Sequence, residues 1–301
     1  MKELFGYIKE ARGVVTGENN WSNLVNYIVK NCKFDDENEF TIYQREYLPP
    51  WMGSCVLRLN KWIHNGIAFY NDGESILIGN QMDVTIEVTK NALTNSNKFR
   101  ITLEHELQHA FDHWIKVFRR GKTSFMDNNY DISVGFESPD YNKIRFWDIY
   151  NNKGKCYFDH MFYLLNGSTY WFDQSEINAF LREFSLYLKE VSIKNNELDW
   201  KELYYNPNES GAQPLIGIML IYEVINNPNK FPNVEWDYVM DSLNVSWAKQ
   251  YLGHTFSGRD AKSFCNVLRE ILMKKTKNIL TRYKRVVKDS GVNIINAPEW
   301  F

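Results

Sequence analysis

Of the six His in this 301-residue chain, two stand four residues apart with a Glu beside the first: His105-Glu106-Leu107-Gln108-His109. On a helix that spacing puts both imidazoles one turn apart and about 40° round the axis, on one face. Neutral imidazoles are donors that Zn²⁺ takes, and a catalytic zinc keeps one coordination position for water. The metal lowers the pKa of that water toward about 7. Glu106 lies about 60° round the helix from His109, beside the metal position rather than on it. That is where a general base belongs, taking the water's proton and passing it to a leaving amine. With 21 Glu besides the six His, chance would supply the pattern in roughly one chain in a hundred of this composition.

Two His and a water leave one protein ligand to be supplied. Asp112 and His113 follow closely, but a straight helix rises about 1.5 Å per residue, so both stand more than about 10 Å from His105. Zinc–ligand bonds of about 2 Å do not span that distance. A hydrogen bond to His105 or His109 is the better use for Asp112. The third ligand is therefore expected elsewhere in the chain. Glu176 opens the next strong helix, and Asp173-x-x-Glu176 also fits a capping box with Asp in the Ser or Thr position. Spacing alone leaves capping and metal ligation as alternatives.

The motif needs a helix, and its surroundings supply one. Asn95, Ser96 and Asn97 offer N-cap side chains, Arg119 and Arg120 suit a last turn, and Gly121 can close it. Leu103, Leu107, Ala110, Phe111, Trp114, Val117 and Phe118 fill one apolar arc, with His105 and His109 on the other side. Ahead of this helix, residues 66–70, 75–79 and 84–89 read as strands, separated by Asn71-Asp72-Gly73 and Gly79-Asn80 turns. Val84, Ile86 and Val88 alternate with Thr85, Glu87 and Thr89, which predicts one apolar and one polar face. Strands directly before a metal helix suit a cleft in which an extended peptide pairs with a sheet edge.

The rest of the chain is organised around that pair. Residues 1–34 carry a helical pattern in Leu24, Val25, Ile28, Val29 and Cys32, and a charged connector follows at 35–39. From 122 to 170 the sequence is aromatic, Asn-rich and irregular, with a strand expected at 143–150; so long a loop suits a wall or lid. Ile177, Phe180, Leu181, Phe184, Leu188 and Val191 mark a helix from about residue 173, and three more are expected at 213–225, 235–252 and 259–288. The last, opening on Arg259 and closing on Lys288, holds ten Lys or Arg against Asp260 and Glu270, a net of +8. Such a face is either solvated or docks an acidic partner or nucleic acid.

Composition bounds the function classes. A net charge of −2 argues against wholesale nucleic-acid binding, and 16% aromatics point to a folded chain. The four Cys (32, 55, 156 and 265) form no CxxC pair, which suggests a reducing compartment and no thiolate metal site. The first residues lack the apolar run of a signal peptide, and the most apolar stretch, 215–221, is too short to span a bilayer. A soluble protein with no membrane partner is expected.

His105-Glu-Leu-Gln-His-Ala-Phe-Asp112 followed by Ser175-Glu176-Ile-Asn-Ala179-Phe180 resembles the gluzincin metallopeptidases. Their third zinc ligand is a Glu on a second helix downstream of His-Glu-x-x-His. The Glu-Ile-x-Ala form after an aromatic stretch, here Tyr170-Trp-Phe-Asp173, is similar to short peptidases encoded by bacteriophages. The resemblance covers residues 99–180 and implies Zn²⁺ held by His105, His109 and Glu176, with Glu106 as general base. It implies an α+β fold with a zincin-like metallopeptidase core at 61–195; the residue patterns outside it add an N-terminal helical and irregular segment at 1–60 and a mainly helical extension at 196–301. It also implies hydrolysis of a peptide or protein substrate, in the host cytoplasm or in association with a virion. His160, Tyr163 and Tyr170 are the expected candidates for stabilising the oxyanion, and the sequence does not choose among them. Two rival readings stand beside the peptidase. One is a non-catalytic virion or assembly protein keeping the same fold; the other is a zinc amidase acting on a non-peptide substrate. The basic 259–288 helix would be the docking face for an acidic partner or virion component.

Overall fold

The computed structural model describes residues 21–60, 68–71, 73–120, 174–205, 210–234, 261–298 and 301. The chain divides into two compact units, Met1–Asn128 and Asn129–Phe301, and each is taken by itself.

The first unit is a small mixed sheet with two helices. In chain order it holds α1 (Trp21–Asn31), β1 (Glu39–Ile42), β2 (Met52–Leu59), β3 (Ala68–Tyr70), β4 (Ile76–Ile78), β5 (Gln81–Val88) and α2 (Ser96–Arg120). β5 is the axis of the sheet. It runs parallel to β2, while β3 and β4 pair antiparallel with different stretches of it; β1 lies antiparallel on β2. All three strands expected from the sequence are present. The one-sided alternation expected for β5 is not: Thr85 and Thr89 are buried together with Val84, Ile86 and Val88. An interior strand loses the polar face that an edge strand keeps.

The sheet also starts earlier than the sequence pattern suggests. β1 lies just past the charged connector, where the Asp35 carboxylate accepts from the Glu37 and Glu39 amides and turns the chain into it. β2 carries no clean alternation, since Ser54 and Cys55 are both buried. Its pairing with β5 rather than a period of two holds it in place.

α2 begins where its cap was expected, with Asn95 Oδ1 accepting from the Lys98 amide at 3.1 Å. Its apolar arc is buried at Leu103, Leu107, Ala110, Phe111 and Trp114, while Val117 and Phe118 pack on the margin of the same core. An aromatic cluster locks the helix to its neighbours. Trp21 of α1 meets Trp51 and Phe111 edge-on, at 6.1 and 5.5 Å between ring centres, and Trp51 leans on Trp114 at 5.9 Å. Each such ring removes a large apolar surface from water, worth about 1.5–3 kcal/mol for a fully buried apolar side chain. That packing fixes the rotation of α2 and so decides where its other face points.

The second unit is mainly helical: α3 (Gln174–Lys194), α4 (Trp200–Tyr205), α5 (Gln213–Asn226) and α6 (Ala261–Ser290). Two short strands missed by pattern reading, β6 (Glu197–Asp199) and β7 (Asn293–Ile295), pair in parallel. The expected stripe of α3 is buried at Ile177, Phe180, Leu181, Phe184 and Leu188. α6 packs on α3 and α5 through Leu272, Ile279, Tyr283 and Val286. Gly211 sits against α3 with a φ of +66°, and a Cβ there would meet Phe184 N at 2.5 Å and Phe180 O at 2.6 Å. The expected irregular segment 122–170, its strand at 143–150 and the helix at 235–252 lie outside the described residues. Among the described residues no helix is long and apolar enough to cross a membrane. The architecture is mixed α+β.

Candidate metal centre

α2 carries the motif on the side away from its apolar arc, yet the side chains there are not solvated. His105 and His109 are each 7% exposed and Glu106 is 9% exposed. A histidine pair on a wet surface is thereby ruled out for this helix. The two rings are T-shaped, with centres 4.8 Å apart, and their Nε2 atoms stand 3.1 Å from each other. Two buried Nε2 atoms at that distance are held together by one shared proton or by one shared cation. Two nitrogens bound tetrahedrally to one zinc at about 2.05 Å would stand about 3.3 Å apart. The pair fits a zinc ion.

Glu106 is held from the sheet. Its Oε2 accepts the Tyr70 amide of β3 at 2.7 Å. The strand that supplies this amide is the last on its path, joined to β5 through Ala68↔Val88, Phe69↔Glu87 and Tyr70↔Ile86. The same tyrosine reaches α2 a second time: its hydroxyl lies 2.5 Å from His113 Nδ1 and 3.6 Å from Met82 Sδ. Sequence reasoning missed Tyr70 entirely. One signal was present, because Glu106 and His113 are seven apart and therefore only about 20° apart on the helix. What no spacing could reveal was the strand residue that spans them.

Asp112 accepts from Gln108 Nε2 at 3.1 Å, one turn back on the same helix. Glu176 lies in the first turn of α3 and is partly buried. His105 and His109 belong to the first unit and Glu176 to the second. Asp173, the cap partner expected for Glu176, and the oxyanion candidates His160, Tyr163 and Tyr170 all lie outside the described residues. Burial pushes the Cys55 thiol up to about 12, and burial does the same to Cys32.

Compared with family models, with curated proteins and with solved structures, the chain matches none.

Proposed function

We propose that this chain is a zinc-dependent metallopeptidase. The observation that carries the reading is the convergence of the His105 and His109 Nε2 atoms, 3.1 Å apart and buried, on the helix that also bears Glu106. His105, His109 and Glu176 are the residues we assign to the metal, two imidazoles and a carboxylate. When bound, zinc supplies Lewis-acid chemistry, polarising a carbonyl oxygen and lowering the pKa of water to about 7.

The protein's own groups do the rest. His105 and His109 would present their Nε2 lone pairs to the ion as neutral imidazoles. The Glu106 carboxylate takes the proton from the attacking water as oxygen bonds to the peptide carbonyl carbon. It then delivers that proton to the amide nitrogen as the C–N bond breaks, releasing a carboxylic acid and an amine. The burial of the site excludes competing water, which strengthens each of these interactions. A base beside the pair favours a catalyst, because a structural zinc site closes with four protein ligands and has no use for one.

Zinc analysis and an unbiased peptide-library digest test the reading together. Wild-type protein is expected to carry about one zinc per chain and to cleave library peptides, and His105→Ala and His109→Ala each to lose both properties. Full zinc retention in both variants would remove the site. Zinc binding by wild type without any cleavage would leave a scaffold role instead.

A further inference from the structure

The geometry points to Tyr70 as the positioning residue for Glu106. In this inference, which rests on the metallopeptidase reading, the tyrosine's amide holds the carboxylate and its hydroxyl, paired with His113, holds the strand. Three observations converge on it. The Tyr70 amide donates to Glu106 Oε2 at 2.7 Å. The Tyr70 hydroxyl meets His113 Nδ1 at 2.5 Å, with the rings edge-on at 5.8 Å between centres. His113 is itself 2% exposed, so this end of the link is fixed inside the fold.

The need for such a link follows from the strand. β3 is three residues long and pairs with β5 at the end of the sheet path. A strand that short at an edge opens easily, and any group it holds opens with it. A Glu side chain has three rotatable bonds, so a base held only by its own helix would sample several positions. A backbone amide on one carboxylate oxygen removes most of that freedom before substrate arrives. It works only if the amide stays in place. Glu106 and His113 lie on one side of α2, seven residues apart, and Tyr70 grips both, by amide and by hydroxyl. The edge strand is thereby tied to α2 at two points about 10 Å apart along the helix axis. Neither of these two bonds involves a His of the metal pair, so they act on the base.

The test has two parts. The first needs neither metal nor substrate: amide hydrogen exchange by mass spectrometry, resolved to residue 70, in metal-free protein. Exchange at residue 70 is expected to quicken at least tenfold in Glu106→Ala, and to stay near the wild-type rate in Glu106→Gln, whose amide oxygen can still accept. Tyr70→Phe, which keeps the amide and the ring but loses the hydroxyl, is expected to quicken it as well. The second part is kinetic, on the best-cleaved library peptide. Tyr70→Phe is expected to lower kcat about tenfold with KM and zinc content within twofold of wild type. His113→Leu should do the same, and His113→Asn, whose amide nitrogen sits near the Nδ1 position, should recover most of the loss. Unchanged exchange at residue 70 in both Glu106→Ala and Tyr70→Phe overturns the inference. So does a Tyr70→Phe enzyme with wild-type kcat, or one altered in KM alone. If wild type cleaves nothing, the peptidase reading fails, and the exchange rates alone still decide whether Tyr70 holds Glu106.

Discussion

Glu106 and Glu176 are the same residue type in proposed roles that a pair of substitutions separates. Glu106 sits beside the His pair with one carboxylate oxygen on the Tyr70 amide. Glu106→Gln is therefore expected to keep zinc and fold while losing hydrolysis by a factor of hundreds or more, as for other proton-transfer residues. Glu176→Ala should instead weaken zinc binding, leaving two imidazoles to hold the ion. Zinc affinity and peptide hydrolysis measured on both variants check this, and equal zinc affinity in Glu176→Ala and wild type would return Glu176 to a capping role. The cysteines supply a separate prediction. Cys55 is fully buried and its thiol is pushed from 9.0 to about 12, first by burial and then by the neighbouring Cys32. Below about 9 folded and unfolded chains both hold the proton; between about 9 and 12 only the folded chain does. Its contribution to stability is thus complete below pH 9 and declines as pH rises toward 12. In native protein at pH 8, Cys55 should resist iodoacetamide, and labelling as fast as in urea would contradict its burial.

Among the elements, α2 and α3 differ in how they are held. α2 is set by aromatic rings on one side and by Tyr70 on the other. α3 is approached by backbone. Gly211, at φ +66°, lies so close that a Cβ would fall 2.5–2.6 Å from Phe184 N and Phe180 O, atoms of the α3 helix. The adjoining Gly211 carbonyl accepts the Tyr283 hydroxyl at 2.7 Å, which links the same turn to α6. Gly211→Ala meets both penalties at once, an unfavourable left-handed backbone and a steric clash that only a helix shift relieves. A loss of about 2–4 kcal/mol is expected, read as a lower midpoint in urea unfolding. Gly291 also has a positive φ, +71°, but nothing lies within 4 Å of a Cβ there, so Gly291→Ala should cost only about 1–2 kcal/mol. The contrast between the two substitutions separates packing from backbone strain.

At the scale of the whole molecule, a chain of net charge −2 concentrates positive charge on α6. The helix buries Leu272, Ile279, Tyr283 and Val286 and leaves Lys274, Lys277, Lys284, Arg285 and Lys288 exposed. Among the described residues, Arg285 reaches Asp289 at 3.7 Å, an exposed pair of little energetic weight. The docking role proposed for this helix predicts retention on a heparin column at low salt that falls steeply as salt rises. Replacing Lys274, Lys277 and Lys284 by Gln should weaken it without changing zinc content. Absence of retention even at low salt would leave the face simply solvated.

Helical periodicity was the most legible feature in this chain. The apolar stripes of α2, α3, α5 and α6 locate those helices, and Asn95 marks the start of α2, because a helix is organised by near neighbours along the chain. His-Glu-x-x-His was legible for the same reason, since four residues make one turn wherever the helix lies. Tertiary structure decided what depends on distant partners. It buried the face of α2 that carries His105 and His109. It made β5 an interior strand, which buried Thr85 and Thr89 against the expected alternation, and it gave β1, β2, β6 and β7 the partners that define them. It also brought Tyr70 onto both Glu106 and His113. A strand residue's neighbours on a helix more than thirty positions away are set by how the sheet packs, and no local pattern encodes that distance.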